Sequence, residues 1–270
     1  MAPSLLRREG RRAFGADPSG YLRYRLPYPT RVFEILRTQC GLRRGVTVFE
    51  IGPGPGLASR ELLRAGADPL YVVEPDPRFR RYLASTLHAG RRLRIVPSTF
   101  ERADLPEGSF DLGVAATSFH WVPAHRGIPH VARLLRPGGW WAMWWNRHMD
   151  PEDPSEFHRA VMRLRSSTRR SWESVVQEER RDSRQEVARR LARLARTGSF
   201  DRISFELLRW NATLTPPEVR GLWGTFGNVW KMSAAQKRRL LDGVERIARE
   251  EFGGRVRFRM TTTVYTARRA

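Results

Sequence analysis

The segment that most restricts the fold is Val48-Phe-Glu-Ile-Gly-Pro-Gly-Pro-Gly-Leu-Ala-Ser59. An apolar run ends in three glycines, at 52, 54 and 56, and a helical pattern follows at once. Glycine permits the positive φ of a tight turn and lets backbone come close to a ligand. The helix start beyond it exposes unpaired N–H groups. A strand, glycine loop and helix in this order belong to a parallel α/β sheet whose ligand lies at the carboxyl ends of the strands.

Spacing selects the ligand. A dinucleotide loop reads GxGxxG. Counted from Gly52 and Gly54, the third glycine would fall on Leu57; counted from Gly54 and Gly56, on Ser59. The loop is instead GxGxG, with Glu50 two residues ahead of it. A phosphate-cradling P-loop needs a lysine, and the only lysines are Lys231 and Lys237. A phosphate-free nucleoside fits better. Tyr71-Val-Val-Glu74 adds an acid at the end of the second apolar run, where a carboxylate can accept both ribose hydroxyls. The alternative for Glu74 is a cap on the helix that starts at Pro77.

Alternation of short apolar runs with helical patterns predicts strands at 46–51, 70–74, 93–96, 110–115 and 140–145. Helices are expected over 30–40, 57–65, 77–88 and 125–135, the last stopped by a turn at Arg136-Pro-Gly-Gly139. After Asn146 the pattern becomes helical and arginine-rich. Ser183-x-x-Glu186 reads as a capping box, and a strand follows at 203–208. Thr215-Pro-Pro-Glu218 and Ser233-x-x-Gln236 open two helices, and 256–267 alternates as a final strand. The expected organisation is an N-terminal segment at 1–29 able to act as a lid and a ligand-binding core at 30–149. A helical cap insertion at 150–200 follows, and 201–270 completes a seven-stranded, Rossmann-like, mostly parallel sheet.

The chain has one cysteine, Cys40, so no intramolecular disulfide and no cysteine-based zinc site is expected. No apolar run follows the basic N-terminus, and the longest apolar stretch, Trp140–Trp145, is far short of the roughly 20 residues of a membrane span. The reading is a soluble, cytoplasmic chain without a membrane partner. The histidines show no metal-binding spacing, so no metal is expected. Net charge is +21, and 47 of the 49 basic residues are arginine. Between Arg159 and Arg196 alone, 12 arginines face 5 acids. A basic balance of this size fits a nucleic-acid partner. The favoured reading is instead solvated helix faces in a compositionally biased chain, because the basic residues are nearly all arginine and are spread along the sequence. The positions Arg189, Arg190, Arg193 and Arg196 alternate with Val187, Leu191 and Leu194 and are expected mostly on the outer face, while one or two other arginines of the region could reach inward to an acidic acceptor.

The blocks EIGPGPG (50–56), VVEPD (72–76), LPEGSFDLGVAATSFHW (105–121) and LLRPGGWWAMWWN (134–146) resemble the class I S-adenosylmethionine-dependent methyltransferases. The likeness is to their small-molecule "type 11" and trans-aconitate-like branch. It spans roughly residues 21–146, and the last strand is similar as well, which implies a seven-stranded sheet with helices on both faces and an antiparallel last strand. The resemblance implies S-adenosylmethionine as cofactor and a small-molecule acceptor. Glu50, Gly52, Pro53, Gly54 and Gly56 would line the methionine part, and Glu74 the ribose. Ala115, Ala116 and Thr117 would pass beneath. Many relatives read the adenine amine with an acid after the third strand. Thr99 stands in its place here, leaving that contact to the Thr99 hydroxyl and Phe100 amide or to Glu101.

Methyl transfer from a sulfonium is an in-line displacement, and alignment alone can be worth about 7–11 kcal/mol. A base is needed only for an acceptor that is protonated at neutral pH. His120, just after the fourth strand, is the candidate base, with a packing role as the alternative. Trp121, Tyr21 and Tyr28 are candidates for the substrate pocket, and Trp210, Trp223 and Trp230 could line it from the later region. Two other functions stay open: a nucleic-acid methyltransferase, and a cofactor-binding protein without turnover. Against the first, Thr-Ser-Phe-His-Trp at 117–121 lacks the Asn/Asp-Pro-Pro-Tyr type of motif that grips an extruded base.

Overall fold

The computed structural model describes residues 17–164 and 171–270. The basic stretch at 1–16, and Arg165, Arg169 and Arg170 of the insertion, lie outside the described residues. Seven strands occur among the described residues: β1 Val46–Ile51, β2 Ala67–Val73, β3 Leu93–Val96, β4 Phe110–Ala116, β5 Leu135–Arg147, β6 Phe200–Leu214 and β7 Val256–Arg269. Ten helices accompany them among the described residues. Those of the first half are α1 Pro18–Tyr24, α2 Thr30–Thr38, α3 Leu57–Arg64, α4 Pro77–Thr86 and α5 Ala124–Leu134. The rest are α6 Glu156–Leu164, α7 Trp172–Ala195, α8 Pro216–Gly224, α9 Gly227–Trp230 and α10 Ala234–Glu250.

The strands form one sheet in the order β3-β2-β1-β4-β5-β7-β6. The first five are parallel, and β7 runs antiparallel to both its neighbours. This is the Rossmann-like arrangement the sequence implies. Side chains alternate across each strand, so each sheet face has its own core. One face packs Phe49, Phe110, Trp141 and Tyr265 under α5 and the end of α7. The other packs Val48, Val72, Leu112 and Trp144 under α2, α3 and α4. A third cluster joins α6, α8 and α10 to Leu214, Val256 and Phe258. It covers the end of the β6–β7 ribbon that runs past β5.

Several local readings hold. Thr215 and Ser233 each close a reciprocal capping box with Glu218 and Gln236, satisfying helix-start amides. Trp141, Trp144 and Trp145 are core residues. Three readings are corrected. Ser183-x-x-Glu186 does not start a helix; it lies inside α7, whose cap is Ser171, its hydroxyl accepting from the Ser174 amide. Arg136–Gly139 is not a free turn but an irregularity within β5, where pairing skips from Phe110↔Leu135 to Leu112↔Trp140. The 203–208 strand extends to Phe200–Leu214, because β7 offers it a partner along that whole length. Among the described residues, no helix is long and apolar enough to cross a membrane.

Gly113 is the tightest point in the sheet centre. It pairs with Phe49, and a Cβ there would lie 2.2 Å from the Phe49 ring. That ring is fully buried between Phe100, Phe110 and Trp141 and has nowhere to move. Gly113→Ala should therefore destabilise the fold by about 1–3 kcal/mol through overpacking. Urea denaturation of the two proteins measures this, and an unchanged midpoint would contradict the packing described.

Candidate active site

The glycine loop leaves β1 at Ile51 and enters α3 at Leu57. Gly52, Gly54 and Gly56 all have positive φ, at 62°, 56° and 91°. They serve different ends. A Cβ on Gly52 would meet Ser118 Cβ at 2.9 Å, and one on Gly56 would meet Leu83 at 2.8 Å. A Cβ on Gly54 would meet nothing within 4 Å, so this glycine faces open space. That space is a cavity of about 240 Å³.

Glu74, at the end of β2, is buried, and its carboxylate bridges two loops. Oε2 accepts from the Gly54 amide at 3.2 Å, and Oε1 from the Asp76 amide at 2.8 Å. The helix cap that Glu74 might have supplied is Asp76 instead, whose carboxylate accepts from the Arg78 amide. Glu74 thus does not cap that helix, and it lines the cavity.

Of the residues expected at the cofactor, Gly52, Pro53, Gly54, Glu74, Thr99, Phe100 and Thr117 line this cavity, together with Tyr21, Tyr28, His120 and Trp121. Glu50, Gly56 and Ala115 do not. Ala115 is one residue out of phase: strand alternation turns it into the aromatic core, and Ala116 takes the wall. Gly56 serves the start of α3, pressed against Leu83. Glu50 lies fully buried beneath the loop, where Oε2 accepts from the Ser59 hydroxyl at 2.5 Å and Oε1 has no hydrogen-bond partner among the described residues. Burial pushes its carboxyl up to about 7; Ser59 opposes the rise and the Glu74 charge adds to it.

Arg25 was not legible in sequence as a wall residue, nor were the partners of Tyr21, Tyr28, Thr117 and Ser118. Arg25, on the turn after α1, reaches His148 Nε2 at 2.8 Å and the Thr225 carbonyl at 3.0 Å, and it lies between the rings of Tyr21 and Phe226. Tyr21 meets Phe79 of α4 edge-on at 6.4 Å. The α1 segment therefore spans from α4 to the α8 end over the cavity. Tyr28 donates to Thr117 Oγ1 at 3.1 Å. Thr117 itself has φ +55°, unusual for a β-branched residue and common at functional turns. Ser118, which donates to the Ile51 carbonyl, stood in a block already noted, but nothing in the sequence marked its link to β1.

His120, Trp121 and Val122 form a partition. They line the loop cavity on one side and a larger cleft of about 950 Å³ on the other. The cleft runs between α5 and α7 along the sheet face that carries Met143 and Trp145. His120 Nδ1 accepts the Trp145 indole N–H at 3.2 Å. Glu101 lines this cleft and not the loop cavity, whereas Thr99 and Phe100 stay with the loop. Arg190, Arg193 and Arg196 also line the cleft; Arg190 is largely buried there, which corrects its expected outward placement, while Arg193 and Arg196 are exposed as expected. A third cavity, of about 390 Å³, holds His148, His158, Trp172 and Trp223. Burial lowers both histidines, to about 3 and about 4, so both are neutral at pH 7. Trp210, by contrast, donates to Thr262, and Trp230 lies under the Lys237 ammonium.

Residues 49–143 match the family described as methyltransferase domain. An uncharacterised methyltransferase of Mycobacterium tuberculosis is 33% identical over 140 residues, 52% of this chain and 54% of the relative. Ribosomal RNA small subunit methyltransferase A of Rhizobium etli is 34% identical over 116 residues, 41% of this chain and 40% of that protein. The chain thus spans about half the length, or less, of these relatives. Among solved structures, one described as a type II methyltransferase from Anaeromyxobacter dehalogenans shares the fold. Its TM-score is 0.59 at 20% identity, over 91% of this chain and 97% of that one. Phosphoethanolamine N-methyltransferase 2 of Haemonchus contortus, in complex with S-adenosyl-L-methionine, has a TM-score of 0.53 at 14% identity, over 95% and 56%. Residues 49–143 are thus similar to a methyltransferase domain, and the sheet order and glycine loop are those of the class I S-adenosylmethionine-dependent methyltransferase fold. S-adenosylmethionine is the cofactor of that class.

The buried Glu50 makes stability depend on pH in a defined sense. Its carboxyl titrates near 7 when folded and near the ordinary 4.5 when unfolded. The folded state therefore holds the proton more tightly, and stability falls as pH rises through this window. Relative to Glu50→Gln, the wild-type protein should lose up to about 3 kcal/mol between pH 4.5 and 7.5. Denaturant melts of both proteins across that range test this; parallel pH curves would remove Glu50 as the source.

Proposed function

We propose that this chain transfers a methyl group from S-adenosylmethionine to a small-molecule acceptor. One observation carries the reading: the loop cavity and the α5–α7 cleft share a wall at His120, Trp121 and Val122. Such a pair offers two concave sites meeting at the end of β4, where reactants have to meet. A cleft of this volume is of the size small ligands use.

The residues fit the cofactor. Gly54 leaves room at the loop, and the Glu74 carboxylate stands beside it for the ribose hydroxyls. Thr99 and Phe100 wall the adenine end, and Thr117 and Tyr28 close the floor near the methionine. The α1 segment, held by Arg25 and Tyr21, acts as the lid. The sulfonium supplies an activated methyl group with a neutral leaving group. The protein's task is then to align the acceptor and exclude water. With Nδ1 engaged by Trp145, the neutral His120 ring carries its proton on Nε2. His120 therefore acts as a hydrogen-bond donor to the acceptor, in place of the general base considered from sequence. A nucleophile that needs no base suits such a site.

A nucleic-acid acceptor is favoured by the net charge of +21 and by the ribosomal RNA relative. The concave cleft favours a small molecule. Incubation with labelled S-adenosylmethionine, against metabolite mixtures on one side and RNA on the other, decides between them. Label appearing in RNA alone would overturn the proposal.

Two substitutions test the cofactor residues. Gly54→Val should abolish binding of S-adenosylhomocysteine in calorimetry, since a branched side chain fills the open space and resists φ near +56°. Glu74→Ala should weaken the same binding by about 1–3 kcal/mol, the scale of hydrogen bonds to a charged group. Unaltered affinity in either variant would move the cofactor elsewhere.

A further inference from the structure

The α5–α7 cleft has a chemical polarity that narrows the acceptor. Along α7, Val187, Leu191 and Leu194 pack into the sheet-face core. Glu186, Arg190, Arg193 and Thr197, spaced by four, three and four residues, form the neighbouring stripe and line the cleft, with Arg196 beside them. The three arginines are not equivalent. Arg190 is committed: its side chain is only 14% exposed, it pairs with Glu186 at 2.8 Å, and its guanidinium lies 3.4 Å from the Trp145 ring centroid. Arg193 and Arg196 are exposed, and neither has an ion-pair partner among the described residues. Glu186, one of the two carboxylates lining the cleft, is already held by Arg189 and Arg190. The other, Glu101, comes from the turn after β3, on a different element from α7.

Opposite these cations the cleft is apolar, built from Ile128, Pro129, Met143 and Trp145. The continuous contact Arg190–Trp145–His120 leads from the arginine stripe to the partition with the loop cavity. We infer that the cleft binds the acceptor as an amphipathic organic acid, its anionic group on Arg193 and Arg196 and its apolar body along the sheet face toward His120. Guanidinium groups suit a carboxylate or sulfonate, pairing with two oxygens at once. The anion would then sit away from the methylated atom, serving to position it. This rests on the small-molecule reading above and specifies its substrate class.

The test uses two dyes of similar shape, the anion 1-anilinonaphthalene-8-sulfonate and the neutral N-phenyl-1-naphthylamine. Both are titrated by fluorescence into the full chain with saturating S-adenosylhomocysteine. The wild-type protein should bind the anion more tightly than the neutral dye. Arg193→Gln with Arg196→Gln should raise the anion's Kd at least tenfold and change the neutral dye's less than twofold, and 2-naphthoate should displace the bound anion. Equal binding of the two dyes, unchanged anion binding in the double variant, or no binding of either dye would overturn the inference. Displacement of the dye by a single-stranded oligonucleotide, but not by 2-naphthoate, would also overturn it by giving the cleft to nucleic acid. Calorimetry with S-adenosylhomocysteine alone reports separately on the cofactor reading. Loss of that binding in wild-type protein would sink the methyl-transfer proposal, whereas dye results reach only the acceptor class.

Discussion

Three positive φ angles in five residues hold the site together. At Gly52, Gly54 and Gly56 the chain turns from the sheet centre into α3 without a side chain to obstruct it. Each turn does separate work: one lets Ser118 close on the loop, one opens the cavity, one lets α3 seat against Leu83. The loop's shape is then tied to β2 through the Glu74 carboxylate. Buried under it, Glu50 is an acid whose ordinary ionisation is suppressed by its surroundings. The loop cavity and a stress point of the fold therefore occupy the same few residues.

Much of this was readable because it is local. Apolar period, glycine spacing and capping signals depend on neighbours a few residues away, and they placed β1, β3, α3 and α10 within a residue or two. The failures are long-range. Ser183 has the chemistry of a cap, but Val187, Leu191 and Leu194 dock the helix regardless, and propensity yields to packing. Ala115 and Ala116 are indistinguishable by composition; only strand phase separates a core residue from a wall residue. Arg190 reads as a solvated surface residue until Trp145, on a distant strand, gives its guanidinium a ring to lie on. Arg25 carried no signal, since its partners His148 and Thr225 lie over a hundred residues away.

The excess of arginine has two meanings in the structure. Many of these residues form exposed pairs such as Arg64 with Glu61, and such pairs contribute little, about 0–1 kcal/mol each. Others are integrated. Arg209 holds Asp150, a carboxylate only 4% exposed, at 2.8 Å. Arg25 links the N-terminal helix to His148 and to the end of α8. Composition alone does not separate these groups; burial of the partner does.

The position of β7 affects how the molecule is made. It fills the slot between β5 and β6, pairing with β5 through contacts such as Trp140↔Arg268, separated by more than a hundred residues. On a ribosome, β5 and β6 emerge before β7, and in the finished sheet they do not pair with each other, so each waits for β7 with an unpaired edge. Exposed edges of that kind invite association with other chains. Late closure by a distant strand is also slow, because a long loop must be ordered before its contacts repay the cost. The last fourteen-residue strand thus acts as a keystone, and nascent chains halted before it would be the form most dependent on chaperones.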